Sequence, residues 1–143
     1  MGLALMRLGL IIFSIIFSFN FAQKDKIYWN NQSTSVKVDV PIGADETLEG
    51  GRVQIRASFN KSDNFQNLGE PFFIEGGDLE GLKEILIPRE DFIVLSGYGE
   101  DVSVEFIAEI WDRAGTSIIG TVSDSILTID ETIPTLLSVT IKS

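Results

Sequence analysis

The amino-acid sequence predicts an all-β fold, an antiparallel β-sandwich, and three observations support this prediction. About six to eight short apolar runs follow one another at roughly ten-residue spacing, with turn residues between them. The run 101–111 alternates apolar and polar residues, so that one face is apolar throughout. No long amphipathic helix separates the runs. Such a pattern is typical of antiparallel sheets rather than of βαβ units.

The N-terminal segment 1–22 has the layout of a secretory signal peptide, helical before its removal. Arg7 supplies a positive charge, 8–19 is uncharged and apolar, and Ala22 is a small residue at a suitable cleavage point. The apolar run has about 12 residues, which is short for the ~30 Å hydrocarbon layer of a membrane. We therefore expect cleavage before Gln23, export through the general secretory pathway, and a secreted or cell-surface location. An uncleaved N-terminal anchor is the alternative.

The strand pattern begins after a polar lead-in segment, 23–34. Within it, Ile27-Tyr28-Trp29 either packs against the domain or forms a short strand. In 35–42, valines and an isoleucine alternate with Lys, Asp and Pro, and 52–59 alternates in the same way after the turn signal Gly50-Gly51. Both segments are predicted as half-buried antiparallel strands.

One later segment is ambiguous. The leucines and isoleucine of 79–87 also fit a helical face, but Gly81 inside the segment and Pro88 after it favour a strand over 83–87. Two short apolar runs within 118–129 are expected to return as hairpin partners of the 101–111 strand.

Two motifs near the C-terminus point to a family. The turn Asp112-Arg113-Ala114-Gly115-Thr116 and the segment 123–134 (SDSILTIDETIP) resemble bacterial immunoglobulin-like, or cadherin-like, repeat modules. Such modules often carry a D-x-A-G-N turn and end in a T-x-D-x-T-x-P joint, and Thr116 stands where the usual Asn would be. The resemblance implies an immunoglobulin-like antiparallel β-sandwich over 35–133. It also implies that 134–143 is a linker and the first strand of a following module, so that the chain is a fragment.

The composition excludes several kinds of chemistry. The chain has no His and no Cys, so that Ser-His-Asp triads, Cys-His pairs and zinc sites of these ligand types cannot form within it. No phosphate-binding Gly-rich loop with a following Lys is present. We therefore expect no enzyme activity. The formal net charge of −10 makes nucleic acid and anionic lipid surfaces poor partners, and no membrane contact is expected after signal cleavage.

Calcium is the one cofactor considered, because it binds carboxylate and carbonyl oxygens. In the topology implied by the resemblance, three acidic segments lie at one end: the turn after the first strand, the approach to the sixth, and the exit of the last. Calcium there would screen their repulsion and stiffen the joint, as in cadherin-like chains. The alternative is a solvated acidic rim, because no D-x-D-x-D-G loop is present. The candidate ligands are Asp45, Glu46, Glu49, Glu100, Asp101, Asp130 and Glu131.

The outward side of the 101–111 strand carries a candidate ligand-binding residue, Trp111. Its ring either presents a binding platform or packs under a loop. Arg52 and Arg56 are expected to pair with outward acidic residues Glu105 and Glu109 across strands, a contribution of roughly 0.2–1 kcal/mol per pair.

The function expected from the resemblance is a non-catalytic structural spacer or adhesion module at the N-terminus of an exported multi-domain bacterial protein. Its partners would be neighbouring modules of the same chain, and a surface glycan or protein. The alternative is an accessory carbohydrate- or protein-binding domain of a secreted enzyme. In the immunoglobulin-like fold that the resemblance implies, Tyr98, just before the clearest strand, is either a tyrosine corner or an ordinary loop aromatic.

Overall fold

Short β-strands dominate the structure, and the all-β class is confirmed. The computed structural model describes residues 25–134 and residue 140. The predicted signal peptide and residues 135–139 and 141–143 of the predicted following strand lie outside the described residues. The strands are β1 (Lys26–Trp29), β2 (Ser35–Pro41), β3 (Arg52–Phe59), β4 (Gln66–Asn67), β5 (Phe72–Phe73), β6 (Leu82–Pro88), β7 (Ser103–Trp111), β8 (Ser117–Ile119) and β9 (Ile126–Ile129); the helix is α1 (Arg89–Ile93), and 3₁₀ turns span Glu46–Leu48 and Gly76–Asp78.

The strands form two sheets. The larger has the order β1-β9-β7-β3-β4, with β5 added to β3 and β8 added to β7. The smaller pairs β2 with β6. All neighbours are antiparallel except β1 and β9, which run parallel. The predicted strand over 83–87 is confirmed as β6, and both runs within 118–129 pair with β7 as expected.

The core lies between the two sheets, as in a β-sandwich. Val36 and Val40 of β2 belong to the same buried cluster as Val53 and Ile55 of β3 and Val104 of β7. These residues are at most 4% exposed, and each lies on the apolar side of its alternating strand. Burial of these side chains on one shared face holds the two sheets together.

The central strand β3 departs from the sequence prediction. Its apolar residues are buried as expected, but Gln54 and Ser58 on the opposite face are also buried, with 6% and 0% exposure. Both side chains contact the segment that follows β3, and the Ser58 hydroxyl donates to the Ser62 carbonyl at 2.5 Å. The Gln54 amide donates to backbone carbonyls of Leu68 and Gly69 at 3.3 and 3.1 Å. Those bonds satisfy its buried polar group.

The antiparallel register of β3 and β7 defines two opposite ends of the larger sheet. Phe59 faces Val104 at one end, where β7 begins, and Arg52 faces Trp111 at the other, where β7 ends. These are called the Ser103 end and the Trp111 end below. At 3.2–3.4 Å per residue, the nine residues of β7 separate the ends by roughly 26 Å.

Within residues 25–134, no helix has the length and apolar character needed to cross a bilayer.

Candidate functional site

The seven carboxylates predicted to meet at one end lie at opposite ends of the sheet. Asp45, Glu46 and Glu49 follow β2, beside the Trp111 end, where the Arg113 N–H donates to the Thr47 carbonyl at 2.9 Å. The chain then enters β3, which is antiparallel to β7, so that this turn cannot approach the start of β7. The predicted gathering of all seven is therefore wrong. Glu100, Asp101, Asp130 and Glu131 lie at the Ser103 end.

The acidic residues at the Trp111 end have local structural roles. The Asp45 carboxylate accepts from the Thr47 N–H at 2.9 Å and from the Thr47 hydroxyl at 2.8 Å, and these bonds lower the pKa of Asp45. Asp45 thereby caps the 3₁₀ turn that begins at Glu46. The Glu49 carboxylate lies against Gly76, where a Cβ atom would stand 3.1 Å from one carboxylate oxygen.

At the Ser103 end, the chain leaving β9 is held by hydrogen bonds from both sides. The Glu100 carboxylate accepts from the Glu131 N–H at 2.9 Å, and from the N–H and hydroxyl of Thr132. The Asp130 N–H donates to the Trp29 carbonyl at 2.8 Å, and the Asp101 N–H donates to the Ile129 carbonyl at 2.9 Å. Backbone and side-chain groups of the domain therefore fix the path of the chain as far as Thr132.

A chain of side-chain bonds anchors the Glu131 carboxylate to the core. The Trp29 indole N–H donates to the Tyr98 hydroxyl at 2.8 Å, and that hydroxyl donates to Glu131 Oε1 at 2.7 Å. Arg89 forms an ion pair with the same carboxylate oxygen and also donates to the carbonyls of Asn30 and Ser33, both at 3.0 Å. Tyr98 thus bonds a side chain of the exit segment, which differs from the backbone bond of a tyrosine corner. Trp29, Arg89, Tyr98, Glu100 and Glu131 are called the exit cluster below.

Aromatic packing surrounds three side chains of the exit cluster, those of Trp29, Tyr98 and Arg89. The ring of Phe92, which α1 places in the core with 0% exposure, lies edge-on to Trp29 at 4.9 Å and to Tyr98 at 5.3 Å between centroids. The Arg89 guanidinium lies over the Trp29 ring at 5.3 Å. The packed rings restrict the conformations open to the partly buried hydrogen-bond chain beside them.

The same bonds shift the titration of the exit cluster. The Tyr98 hydroxyl, followed by the Arg89 guanidinium, lowers the pKa of Glu131 below its usual range. The Thr132 hydroxyl and the neighbouring backbone N–H groups lower the pKa of Glu100. Burial, and the hydrogen bond to Glu131, raise the pKa of Tyr98. Both carboxylates are therefore held ionised as hydrogen-bond acceptors.

Calcium binding stays a prediction. Across residues 25–134 and residue 140, no group of three or more Asp and Glu side chains has the geometry to hold a metal ion. Glu100 and Glu131 accept hydrogen bonds from the protein itself, and Arg89 already compensates the charge of Glu131.

Trp111 lies on the outer face of the larger sheet, where Arg52 covers one side of its ring at 4.3 Å from the centroid. Arg52 also faces Phe73 of β5, so that the three side chains form one row, and Phe73 is 69% exposed. The predicted pairing of Arg56 with Glu109 is confirmed as an ion pair. Arg52, expected to pair with an acidic residue, stacks on Trp111.

Neither Arg89 nor the role of Trp29 was predicted from the sequence. One signal for Arg89 was available in the sequence. Arg89 is a cation that directly follows Pro88, the residue predicted to end a strand, in a chain whose formal net charge is −10. Trp29 lies in the polar lead-in segment, and its burial arises from pairing with a strand about 100 residues later along the chain, as the partners Trp29 and Ile129 show.

Comparison of the chain with protein-family models and with curated proteins finds no match.

Proposed function

We propose that this domain is an immunoglobulin-like spacer or adhesion module of an exported multi-domain protein. The strand pairing supports the fold: β2 pairs with β6, and β3 pairs with β7, which pairs with β8 and β9. This corresponds to strands B and E of one immunoglobulin sheet and to C, F and G of the other. The N-terminal segment with Arg7 and the apolar run supports export.

The observation that carries the spacer function is the exit cluster. A spacer sets the direction of whatever follows it, which requires that the chain leaves the domain along a fixed path. Glu100 binds the backbone of Glu131 and Thr132, and Tyr98 and Arg89 bind the Glu131 side chain. Pro134, two residues further on, restricts the next backbone angle as well.

The spacer function requires a folded domain after Ser143, and the test uses the full-length protein that would contain it. Double electron–electron resonance between a spin label on this domain and one on the following domain should give one narrow distance distribution. Glu100→Ala should broaden it, because Thr132 loses its acceptor, whereas Glu46→Ala at the Trp111 end should not. A broad distribution in the natural protein, or a continuation without a second folded domain, would overturn the spacer function.

An accessory binding domain is the second candidate, and the exposed row Phe73–Arg52–Trp111 favours it. A flat apolar ring beside hydrogen-bonding side chains suits the faces of sugar rings. Binding of the purified chain to a glycan array, lost on Phe73→Ser, would support this function. If no glycan on the array binds the chain, or if binding persists in Phe73→Ser, the glycan-binding function is contradicted.

A further inference from the structure

The smaller sheet ends in a strand edge that carries a self-complementary charge pattern. Among the described residues, β2 pairs with β6 only, and no strand of this part of the chain pairs along its other edge, which is called the open edge below. A groove of about 680 Å³ runs along this edge and is lined by every residue of β2, with β1 and residues 120–125 on its far side. An unpaired strand edge is a template for a further strand.

The backbone hydrogen bonds show which residues of β2 point to the open edge. The Arg89 N–H donates to the Thr34 carbonyl at 2.9 Å, and the Ile42 N–H donates to the Gly81 carbonyl at 2.8 Å, so that even-numbered residues face β6. In an antiparallel ladder the bonding direction alternates from residue to residue. The N–H and C=O groups of Lys37 and Asp39 therefore point to the open edge, and their side chains are exposed.

We propose that the open edge of β2 pairs antiparallel with the β2 edge of a second copy of this chain, about a two-fold axis at Val38. In this register Lys37 lies opposite Asp39 of the second copy, and the two exchange both backbone hydrogen bonds. Val36 lies opposite Val40. The two ion pairs and the backbone bonds are the same in both copies.

The charges select this register over its neighbours. Backbone hydrogen bonding requires that odd-numbered residues of the two copies lie opposite one another, which a two-fold axis at any residue of β2 allows. The axes nearest the middle of the strand are at Lys37, Val38 and Asp39, and only the one at Val38 places each charge opposite its counter-charge. An axis at Lys37 places two lysines opposite each other, and an axis at Asp39 places two aspartates opposite each other, both unfavourable. Asp39 also faces Glu84 across the β2–β6 pair, and Lys37 already forms an ion pair with Glu84, so that one lysine serves two carboxylates within each copy. A second Lys37 would compensate this excess negative charge.

A lysine on an edge strand normally discourages pairing, and Pro41 cannot donate a hydrogen bond at the end of this one. Asp39, two residues after Lys37, removes this obstacle to pairing. With the two-fold axis at Val38, each Lys37 lies opposite an Asp39 of the other copy. The pairing would join two exported chains side by side, and it is independent of any domain that follows.

The first test follows the mass of the purified chain by sedimentation velocity over a concentration series. The natural chain should form a dimer, and Lys37→Asp or Asp39→Lys alone should raise the dimer dissociation constant at least about tenfold, since each replaces two attractive pairs by repulsive ones. The double exchange Lys37→Asp with Asp39→Lys should restore the dimer. A mixture of the two single variants should form a heterodimer. A monomeric natural chain at millimolar concentration, or a dimer that ignores the single variants, would overturn the proposal.

The second test uses the absence of cysteine from the sequence. Val38→Cys should form an intermolecular disulfide on mild oxidation, because Cα atoms of directly opposed, non-hydrogen-bonded residues lie about 4.5 Å apart, within disulfide range. Ser117→Cys on β8 is the matched control and should cross-link far less. Equal cross-linking of the two would contradict the proposal. So would amide protons of Lys37 and Asp39 that exchange slowly at every dilution, since a segment of the same chain would then cover the edge.

Discussion

Replacement of Tyr98 by Phe isolates the hydrogen bonds of the exit cluster from its packing. The phenylalanine ring keeps the edge-on contact with Phe92, at 5.3 Å between centroids in the natural protein. The lost hydroxyl accepts from the indole of Trp29, a residue with 2% exposure, and donates to the Glu131 carboxylate. An unpaired buried donor costs about 1–3 kcal/mol, and the bond to the carboxylate adds to this. We expect Tyr98→Phe to lower the free energy of unfolding by about 2–3 kcal/mol.

The assay is guanidinium chloride unfolding at pH 7, followed by tryptophan fluorescence, with unchanged m-value as the check that both states keep their compactness. Tyr28→Phe is the matched control, because Tyr28 is the other tyrosine of the chain and its side chain is 58% exposed on β1. The control should change the stability by less than ~0.5 kcal/mol. A Tyr98→Phe variant as stable as the control would refute the hydrogen-bond chain from Trp29 to Glu131.

Three further outcomes are expected. Stability should fall as the pH drops below about 4.3, the ordinary glutamate pKa, because between this value and the lowered pKa of folded Glu131 the unfolded chain binds a proton that the folded chain does not. Glu131→Gln should flatten this dependence in acid unfolding titrations. Gly51→Ala should destabilise strongly, since its Cβ would clash with a β7 carbonyl, whereas Gly77→Ala, with open space, should be nearly neutral in thermal melts. Arg56→Ala should cost about 2 kcal/mol, because it leaves Glu109 buried without its cation, while Arg56→Met with Glu109→Leu should recover most of this in a double-mutant cycle.

Strands whose residues alternate clearly, or whose ends carry Gly or Pro, could be predicted from the sequence alone. In 101–111, apolar residues repeat with period two over the whole strand, and β7 begins at Ser103 and ends at Trp111. The strand over 83–87 followed from Gly81 and Pro88, which disfavour a helix.

What local pattern could not supply was the placement of segments distant in sequence. The four residues of β1 carry little pattern, and Trp29 is buried because β9 lies beside it in the folded chain. Asp45 and Glu100 are both acidic loop residues, and only the antiparallel pairing of β3 with β7 puts them at opposite ends. The sequence therefore identified the acidic loop residues, but it could not show which of them lie close together in the folded chain.

The backbone order parameters of Glu131 and Thr132 test the fixed exit path most directly. In ¹⁵N relaxation of the purified chain, both N–H groups should give values near the ~0.85 of rigid backbone, although they lie outside β9 and belong to no described strand. In Glu100→Ala the Thr132 value should fall below about 0.6, whereas in Glu46→Ala it should not change. A value below about 0.6 for Thr132 in the natural chain would contradict the claim that the domain determines the direction in which its chain leaves.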